Sequence, residues 1–337
     1  MQIAKRPWGE MDGKNVHIYD IVCGETRLSV SDFGALWQAF VIGDTDFVLG
    51  YDTPQEYRQN MTFFGAMIGP IADRLAEGKC VLSGKTVQLE KNAGPDSMHS
   101  SNIGFHNRIW DTEIIENGVH FSTLYANDGL PGNIAIDLIY RLMDENTLRI
   151  EYAAQTDTET ALSFTNHSYF NLDGGKNHCR GHKITVHADH YAETERDEEP
   201  IVTGRRLKVD GTPMDLRSGA VLGDVLARSD FPEIRTGGGI DHFFIVRGEG
   251  MRPHAEIEGR EWKLECRSDA PGVLVYTANG LEEGTGKNGM KHGKNYAICL
   301  ETERFPNAAN IDGMRESVLL RPGEKYLSAT EFKFIRK

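Results

Sequence analysis

The feature that most constrains the fold of this chain is a two-residue alternation of apolar and polar side chains. Between residues 134 and 142 every second side chain is large and apolar, ending with Tyr140 and Leu142. A similar spacing recurs at 119–125, 148–152 and 326–334. Because successive side chains of a strand point to opposite faces, this spacing predicts strands that bury one face. The chain is therefore predicted to form large antiparallel β-sheets.

Helical patterns in the sequence are few and short. One follows Thr53-Pro54, and another covers 219–228, where the apolar residues share one face. Strands do not alternate with long helices, which argues against a doubly wound α/β fold. No repeat, low-complexity segment or clear linker divides the 337 residues. We therefore expect an all-β fold, a large antiparallel β-sandwich with few short helices, as a single domain over residues 1–337.

Composition narrows the possible partners and the compartment. The formal net charge is -13, and an acidic protein is repelled by nucleic acid and by anionic membrane surfaces. No run approaches the roughly 20 apolar residues of a membrane span, and the N-terminus lacks the apolar core of a signal peptide. The 5 cysteines are odd in number and scattered, which fits reduced thiols. We expect a cytoplasmic protein without nucleic-acid or membrane partners.

Two segments carry residues suited to proton transfer. His167 lies among polar and aromatic residues in the segment 165–172, after a stretch, 161–164, that reads as strand. Glu301 directly follows the apolar run 297–300, where the chain is expected to leave a buried strand. A carboxylate and an imidazole facing each other can take and give a proton together. Taken singly, His167 could be structural and Glu301 a surface residue, but a partly buried Glu would have the raised pKa that a general base needs.

Two sequence patterns resemble a dinucleotide site and a metal site, but their context favours neither. The segment Gly284–Gly289 matches G-x-G-x-x-G, but no helix is predicted after it, so we expect a flexible loop and no dinucleotide site. Residues 178–190 contain four histidines and Cys179, in a spacing that matches no tight metal signature. We therefore expect neither a metal nor a cofactor. The acidic run 193–199 is interpreted as a solvated loop.

Three further polar residues occur in unusual settings. Arg74 ends a stretch with no other charge before Asp73, so its guanidinium is either paired with Asp73 or offered to ligand oxygens. Asp241 opens an apolar strand after three glycines, a position where Asp is depleted unless its side chain is used. His99 follows a Gly-Pro turn and, on its own, reads as an exposed loop residue.

Taken together, the ordered motifs resemble the aldose 1-epimerase (galactose mutarotase) family over nearly the whole chain. The strongest is Thr165-Asn-His-Ser-Tyr-Phe-Asn-Leu172. The others, in order, are Gly34-Ala35, Val48-Leu-Gly-Tyr-Asp52 with Glu56-Tyr57, Phe64-Gly-Ala66, Ala72-Asp-Arg74, Gly84-Lys85, Met98-His99, Gly104-Phe105 with Trp110, Pro200-Ile-Val-Thr-Gly204, Gly211-Thr-Pro213 with Asp215, Asp241-His242, Pro271-Gly272 with Tyr276-Thr277, and Cys299-Leu-Glu301 with Phe305-Pro306.

The resemblance implies a fold, a reaction and roles for five residues. The fold would be a galactose mutarotase-like supersandwich of curved antiparallel sheets, with a sugar cleft on the concave face. The reaction would interconvert the α and β anomers of a free monosaccharide without metal, nucleotide or phosphate. Glu301 would be the base that removes the C1 hydroxyl proton, and His167 the acid that protonates the ring oxygen. Arg74, His99 and Asp241 would hold the ring hydroxyls and the ring oxygen.

The chain departs from the family pattern in the residues that would contact the sugar hydroxyls. Asp73 stands where the family has a sugar-binding Asn, and Leu274 where a Gln is often found. The remaining departures are Gly69-Pro70 for Gly-Arg, Ser100-Ser101 for two glycines, and Glu303 and Asn307 for Gln and Asp. Because Leu274 cannot form a hydrogen bond, we hypothesise a less polar or differently configured aldose, such as a deoxy sugar.

Two alternative functions remain open at this stage. A hexose-phosphate 1-epimerase on the same fold would need further arginines near the cleft, and Arg108, Arg205 and Arg304 are candidates. A carbohydrate-binding or sensing protein without turnover would not need both Glu301 and His167. The sequence leaves open whether the protein is a monomer or a homodimer.

Overall fold

The computed structural model describes residues 1–195 and 200–337. Within these residues the strands are β1 Gln2–Met11, β2 Lys14–Cys23, β3 Thr26–Ser31, β4 Trp37–Ile42, β5 Thr45–Asp46, β6 Ala66–Ile68, β7 Arg74–Leu75, β8 Lys79–Leu82, β9 Lys85–Gln88, β10 Ser97–Met98, β11 Asp111–Ile115, β12 Gly118–Ala126, β13 Asn133–Leu142, β14 Thr147–Thr156 and β15 Thr160–Ala161. They continue with β16 Thr165–His167, β17 Tyr169–Phe170, β18 Lys183–Val186, β19 Ala188–Glu195, β20 Ile201–Lys208, β21 Ala220–Val221, β22 Asp241–Val246, β23 Arg252–Glu258, β24 Trp262–Ser268, β25 Gly272–Tyr276, β26 Gly284–Thr285, β27 Lys291–His292, β28 Ile298–Glu303, β29 Leu319–Leu320 and β30 Tyr326–Arg336.

Helices are short in this part of the chain. The α-helices are α1 Pro54–Asn60, α2 Leu222–Leu226 and α3 Pro232–Thr236. Single 3₁₀ turns cover Ala76–Gly78, Ser101–Ile103, Phe105–Asn107, Cys179–Gly181, Lys287–Gly289, Ala308–Asn310 and Arg315–Ser317. None of the described helices has the length and apolar character needed to cross a membrane.

Three antiparallel sheets account for most of the structure. A five-stranded sheet has the order β1-β2-β3-β4-β5, and a nine-stranded sheet has the order β11-β12-β13-β14-β30-β24-β23-β18-β21. A six-stranded sheet, β17-β28-β25-β22-β19-β20, carries Asp241, Leu274 and Glu301, which line the cavity described below. The two-residue alternation holds in β13, where every second residue is buried and the others are exposed or half-buried. The prediction of an all-β fold of large antiparallel sheets is therefore confirmed.

The three sheets share one hydrophobic core. Trp37 of β4 packs at 5.5 Å from Phe170 of β17 and at 5.4 Å from Phe332 of β30. Phe40 stacks on Phe334 with ring centroids 4.4 Å apart. Burying each such aromatic side chain contributes about 1.5–3 kcal/mol, so these contacts bind the sheets to one another. On this shared core we propose that residues 1–337 form one domain.

The first helix forms where it was predicted, and the second is shorter than predicted. Thr53 and Glu56 form a capping box, because the Thr53 side chain accepts from the Glu56 N–H and the Glu56 carboxylate accepts from the Thr53 N–H. The prediction of a helix over 219–228 is wrong for its first part, since residues 220–221 form β21 and pair with β18. That pairing overrides the helical pattern and leaves the five residues of α2.

The glycine-rich segment and the acidic run also differ from expectation. No α-helix follows Gly284–Gly289, as predicted, but the segment is anchored rather than free. Lys287 is buried, and its Nζ lies 2.9 Å from Oδ2 of Asp46 and contacts the Gln38 carbonyl. In the acidic run 193–199, residues 193–195 end β19 instead of forming a loop, and residues 196–199 lie outside the described residues.

Candidate active site

A cavity of about 590 Å³ lies against one face of the six-stranded sheet. Its walls come from loops around residues 60–63 and 280–285, and its floor from β22, β25 and β28. All the residues proposed from the sequence line it, namely Glu301, His167, Arg74, His99, Asp241, Asp73 and Leu274. The fold therefore brings together residues that are far apart in the chain.

Three neighbouring antiparallel strands place the floor residues on one face. Leu274 of β25 lies directly opposite Glu301 of β28, and Tyr276 lies opposite Asp241 of β22. Directly opposed residues, and residues two apart on one strand, share a face of the sheet. Glu301 was expected at the end of a strand, but β28 continues to Glu303, so Glu301 lies within the strand and pairs with β25.

His167 faces Glu301 in the cavity. Its Nε2 lies 3.6 Å from Oε1 of Glu301, and the two side chains are 7% and 3% exposed. The imidazole is nearly parallel to the rings of Tyr169, at 4.9 Å, and Phe63, at 5.9 Å. These rings set the plane of the imidazole and keep water away from it. The two groups can therefore act on adjacent atoms of one bound molecule.

His99 is buried, which corrects its interpretation as an exposed loop residue. Only 7% of it is accessible, because Phe63 packs edge-on against its ring at 4.9 Å. Its Nδ1 accepts a hydrogen bond from the backbone N–H of Asp73 at 3.2 Å. That bond assigns the ring proton to Nε2, so neutral His99 can donate a hydrogen bond from there. Arg74 lies beside it, with Nη1 3.7 Å from Oδ1 of Asp73.

Burial controls the protonation of the site. Desolvation raises the pKa of Glu301 well above its usual range, and the nearby carboxyls of Asp73 and Asp241 raise it further. Desolvation also lowers the pKa of His167 to about 3 and that of His99 well below its usual value. Burial therefore favours the proton of the facing pair on Glu301 and the neutral form of both imidazoles.

The loops that form the cavity wall contain strained backbone. Met61, Phe63, Asp73 and His99 have φ values of 48°, 58°, 56° and 53°, in the left-handed region that side chains other than glycine disfavour. Each costs about 1–2 kcal/mol. Strain of this kind clusters at functional sites, where the surrounding structure holds a side chain in a required place.

Comparison with known proteins identifies the family. The profile of the aldose 1-epimerase family matches residues 19–333. The chain belongs to the aldose 1-epimerase family. The chain is 35% identical to the human galactose mutarotase, with 98% of each protein covered. It is 33% identical to the aldose 1-epimerase of Escherichia coli (strain K12), with 86% of this chain and 84% of that protein covered. As a member of this family, the protein is an isomerase of the aldose 1-epimerase type.

Solved structures show the same fold. The aldose epimerase homologue from C. elegans superimposes with a TM-score of 0.85 at 26% identity, covering 95% of this chain and 98% of that one. The galactose 1-epimerase from Lactobacillus acidophilus NCFM gives a TM-score of 0.88 at 24% identity, with 99% of both chains covered. The expected galactose mutarotase-like sandwich is therefore confirmed.

One group in the epimerase cavity has the composition of a metal site. The ligand atoms of His99, His167 and Glu301 lie within 4.8 Å of one another. The tautomer of His99 argues against this use, because its Nδ1 is occupied by the Asp73 N–H and its Nε2 carries the proton. The histidines at 178–190 form no group of three or more possible ligands in the described part of the chain.

Sequence reasoning missed several residues that line the epimerase cavity. They include the aromatic residues Phe63, Tyr169 and Tyr276 and the rim carboxylates Glu282 and Glu283. Tyr169 lies two residues after His167 within the strongest motif, so its place beside the imidazole could have been inferred. Nothing in the local pattern of Phe63 or of the rim distinguishes them, because loops reach the cavity only through the tertiary fold.

Proposed function

We propose that the protein interconverts the α and β anomers of a free monosaccharide by acid–base ring opening, with Glu301 as base and His167 as acid. The observation that carries this proposal is the 3.6 Å approach of Glu301 Oε1 to His167 Nε2 inside a cavity of about 590 Å³. A base and an acid held this close can reach the C1 hydroxyl and the ring oxygen of one sugar, because both oxygens are bonded to C1.

The reaction moves one proton in each direction. Glu301 accepts the proton of the C1 hydroxyl while His167 donates a proton to the ring oxygen, and the bond between C1 and the ring oxygen breaks. The resulting aldehyde turns about the C1–C2 bond. Ring closure on the other face of the aldehyde reverses both transfers, with His167 as base and Glu301 as acid.

The protonation that burial favours fits the closing half of this cycle. Burial favours a protonated Glu301 and a neutral His167, which is the state required for ring closure. Ring opening needs the proton on His167 instead. A bound sugar supplies that shift, since its C1 hydroxyl donates to the Glu301 carboxylate and its ring oxygen accepts from the His167 imidazolium. Activity therefore requires a single proton on the pair, and we expect a loss of rate when alkali removes it.

The remaining residues of the cavity are suited to holding the sugar. We propose that Arg74 and the Nε2–H of His99 donate to sugar oxygens and that Asp73 and Asp241 accept from hydroxyls. Leu274, opposite Glu301, presents an apolar surface to the same space. A hydroxyl placed there would be left without a partner, which favours a deoxy or differently configured aldose. Anomer-resolved NMR exchange on a panel of sugars tests this, and rates on galactose equal to or above those on every deoxy sugar would overturn it.

The hexose-phosphate alternative fits the cavity poorly. Arg74 is the single lysine or arginine among the cavity-lining residues of the described chain, against six carboxyl groups. The three candidate arginines are engaged elsewhere: Arg108 with Asp128, Arg205 with Glu193, and Arg304 over the ring of Tyr326. A dianionic phosphate would be repelled by this lining.

The test of the proposed function is the substitution Glu301→Gln. The amide keeps the size of the side chain but cannot accept the proton, so the mutarotation rate should fall about 10²–10⁴-fold. Sugar binding, followed by calorimetry, should persist. Glu113→Gln changes an exposed carboxylate on β11 and serves as the matched control. If the unmodified protein does not raise the mutarotation rate of any aldose above its spontaneous rate, a binding protein without turnover would be supported instead.

A further inference from the structure

The lining of the cavity is strongly unbalanced in charge. Six carboxyl groups reach it, three in its depth and three around its mouth: Asp73, Asp241, Glu301, Glu56, Glu282 and Glu283. Arg74 is the one lysine or arginine that lines it in the described residues, and it already lies 3.7 Å from Asp73. The lining therefore carries a net negative charge even with Glu301 protonated and Arg74 beside Asp73.

Part of this imbalance lies where water is excluded. The Asp73 and Glu301 side chains are 11% and 3% exposed, and the Asp73 carboxyl adds to the effect of burial in raising the pKa of Glu301. Such a pair of buried carboxyls is stabilised by any cation brought between or beside them. A neutral sugar hydroxyl supplies a hydrogen bond but no compensating charge.

We propose that the site accepts amino-substituted aldoses, with a protonated amine in place of one ring hydroxyl held against Asp73, and uses them better than the neutral parent sugars. This inference rests on the proposed mutarotase function and specifies its substrate class. An ammonium group has three donors and no acceptor, which matches a carboxylate that can only accept. The amide oxygen of an Asn can also accept from a hydroxyl, whereas only a carboxylate adds a charge that attracts an ammonium group.

The expected size of the preference follows from the charge of the amine. The hydrogen bond from a neutral hydroxyl to Asp73 is already strengthened by the carboxylate charge, and an ammonium adds a Coulomb attraction that its loss of hydration partly offsets, so we expect roughly a tenfold advantage in kcat/KM. The exposed carboxylates Glu282 and Glu283 add a steering effect that salt screens, whereas the contact with buried Asp73 is screened much less. Most of the preference should therefore persist at high ionic strength.

The experiment compares sugars that differ in one substituent. Anomer exchange is followed by NMR for glucose and galactose, for their 2-, 3- and 6-amino-deoxy derivatives, and for the matching N-acetyl compounds, with the spontaneous rate of each subtracted. We expect at least one amino sugar to be used about tenfold better than its parent, with the N-acetyl compound losing the advantage because it has no charge. Amino sugars that are all used no better than their parents overturn the inference, while activity on the parents still supports the proposed function.

Two variants show which carboxylates carry the preference. Asp73→Asn should reduce the ratio of amino-sugar to parent-sugar kcat/KM several-fold, and Asn is tolerated at the φ of 56° found there. The double variant Glu282→Gln/Glu283→Gln should alter the ratio only at low salt. Glu113→Gln, on an exposed strand, is the control for a general change of net charge. An unchanged ratio in Asp73→Asn would overturn the assignment to Asp73.

Discussion

The buried, neutral state of His167 should make the protein sensitive to acid in a way that can be measured. Burial lowers the pKa of this imidazole to about 3, whereas an unfolded chain has a histidine pKa of about 6.5. Because the folded pKa is the lower one, the unfolded state takes up the proton first as the pH falls. The free energy of unfolding is therefore not reduced by this histidine above about pH 6.5, and it falls progressively as the pH is lowered from there towards pH 3.

The magnitude follows from the difference in proton binding. At pH 5 the unfolded histidine is 1.5 pH units below its pKa of about 6.5, and each unit is worth about 1.4 kcal/mol, so the loss is about 2 kcal/mol. His167→Asn removes the titrating group. The free energy of unfolding of the variant, relative to the unsubstituted protein, should therefore improve by about 2 kcal/mol between pH 7.5 and pH 5.

Urea unfolding at constant ionic strength measures this difference. A second comparison, made in a protein that lacks the Glu301 carboxyl, separates the contribution of His167 from that of Glu301. Glu301 has a pKa raised by burial, so its contribution is present at low pH and is lost as the pH rises, which opposes that of His167. The comparison is therefore repeated between Glu301→Gln and the double variant with His167→Asn. His178→Asn, at an exposed position outside the cavity, is the control. If the difference in unfolding free energy between each pair of proteins does not change with pH, then His167 is not held neutral in the folded protein, and the proton arrangement used in the mechanism is refuted.

Three other substitutions have definite expected outcomes. Lys287→Met should lower the free energy of unfolding in urea by about 3 kcal/mol, because it leaves the buried Asp46 carboxylate without its 2.9 Å partner, and adding Asp46→Asn should restore part of the loss. Gly65→Ala places a Cβ 2.0 Å from a backbone carbonyl. Gly43 has a similar positive φ of 57° but open space around it, so Gly43→Ala should cost about 1–2 kcal/mol in thermal unfolding. Gly65→Ala should be much more destabilising than this control. Leu274→Gln should raise kcat/KM for galactose relative to a deoxy sugar, and an unchanged ratio would contradict the apolar-contact hypothesis.

Much of the fold could be predicted because strand periodicity is local. The alternation in β13 and β14 follows directly from the sequence, and the structure buries the predicted face. The pattern at 219–228 failed because pairing of residues 220–221 with β18 depends on a distant segment. The same limit applies to Gly284–Gly289, whose anchoring through Lys287 requires Asp46 to be nearby.

Some residues of the candidate site could likewise be predicted from the sequence, and others could not. The grouping of Glu301 and His167, which we propose as a proton-transfer pair, could be predicted from the ordered motifs, and so could the presence of Arg74, His99 and Asp241 beside them. The rim carboxylates and Phe63 were not available, because their loops carry no pattern that relates them to the cavity. His99 was misread as exposed on local grounds, since its burial comes from Phe63 and from the backbone of Asp73.

The long alternating strands and the chemical groups of the site could be read from the sequence, because backbone periodicity and residue type are properties of neighbouring positions. How those groups behave depends on the tertiary structure. Folding sets Glu301 3.6 Å from His167, shifts their pKa values in opposite directions by removing water, assigns the ring proton of His99 to Nε2, and collects six carboxyl groups around one cavity. Desolvation and Coulomb interactions depend on distances in space, which segments far apart in the chain establish only when they fold together.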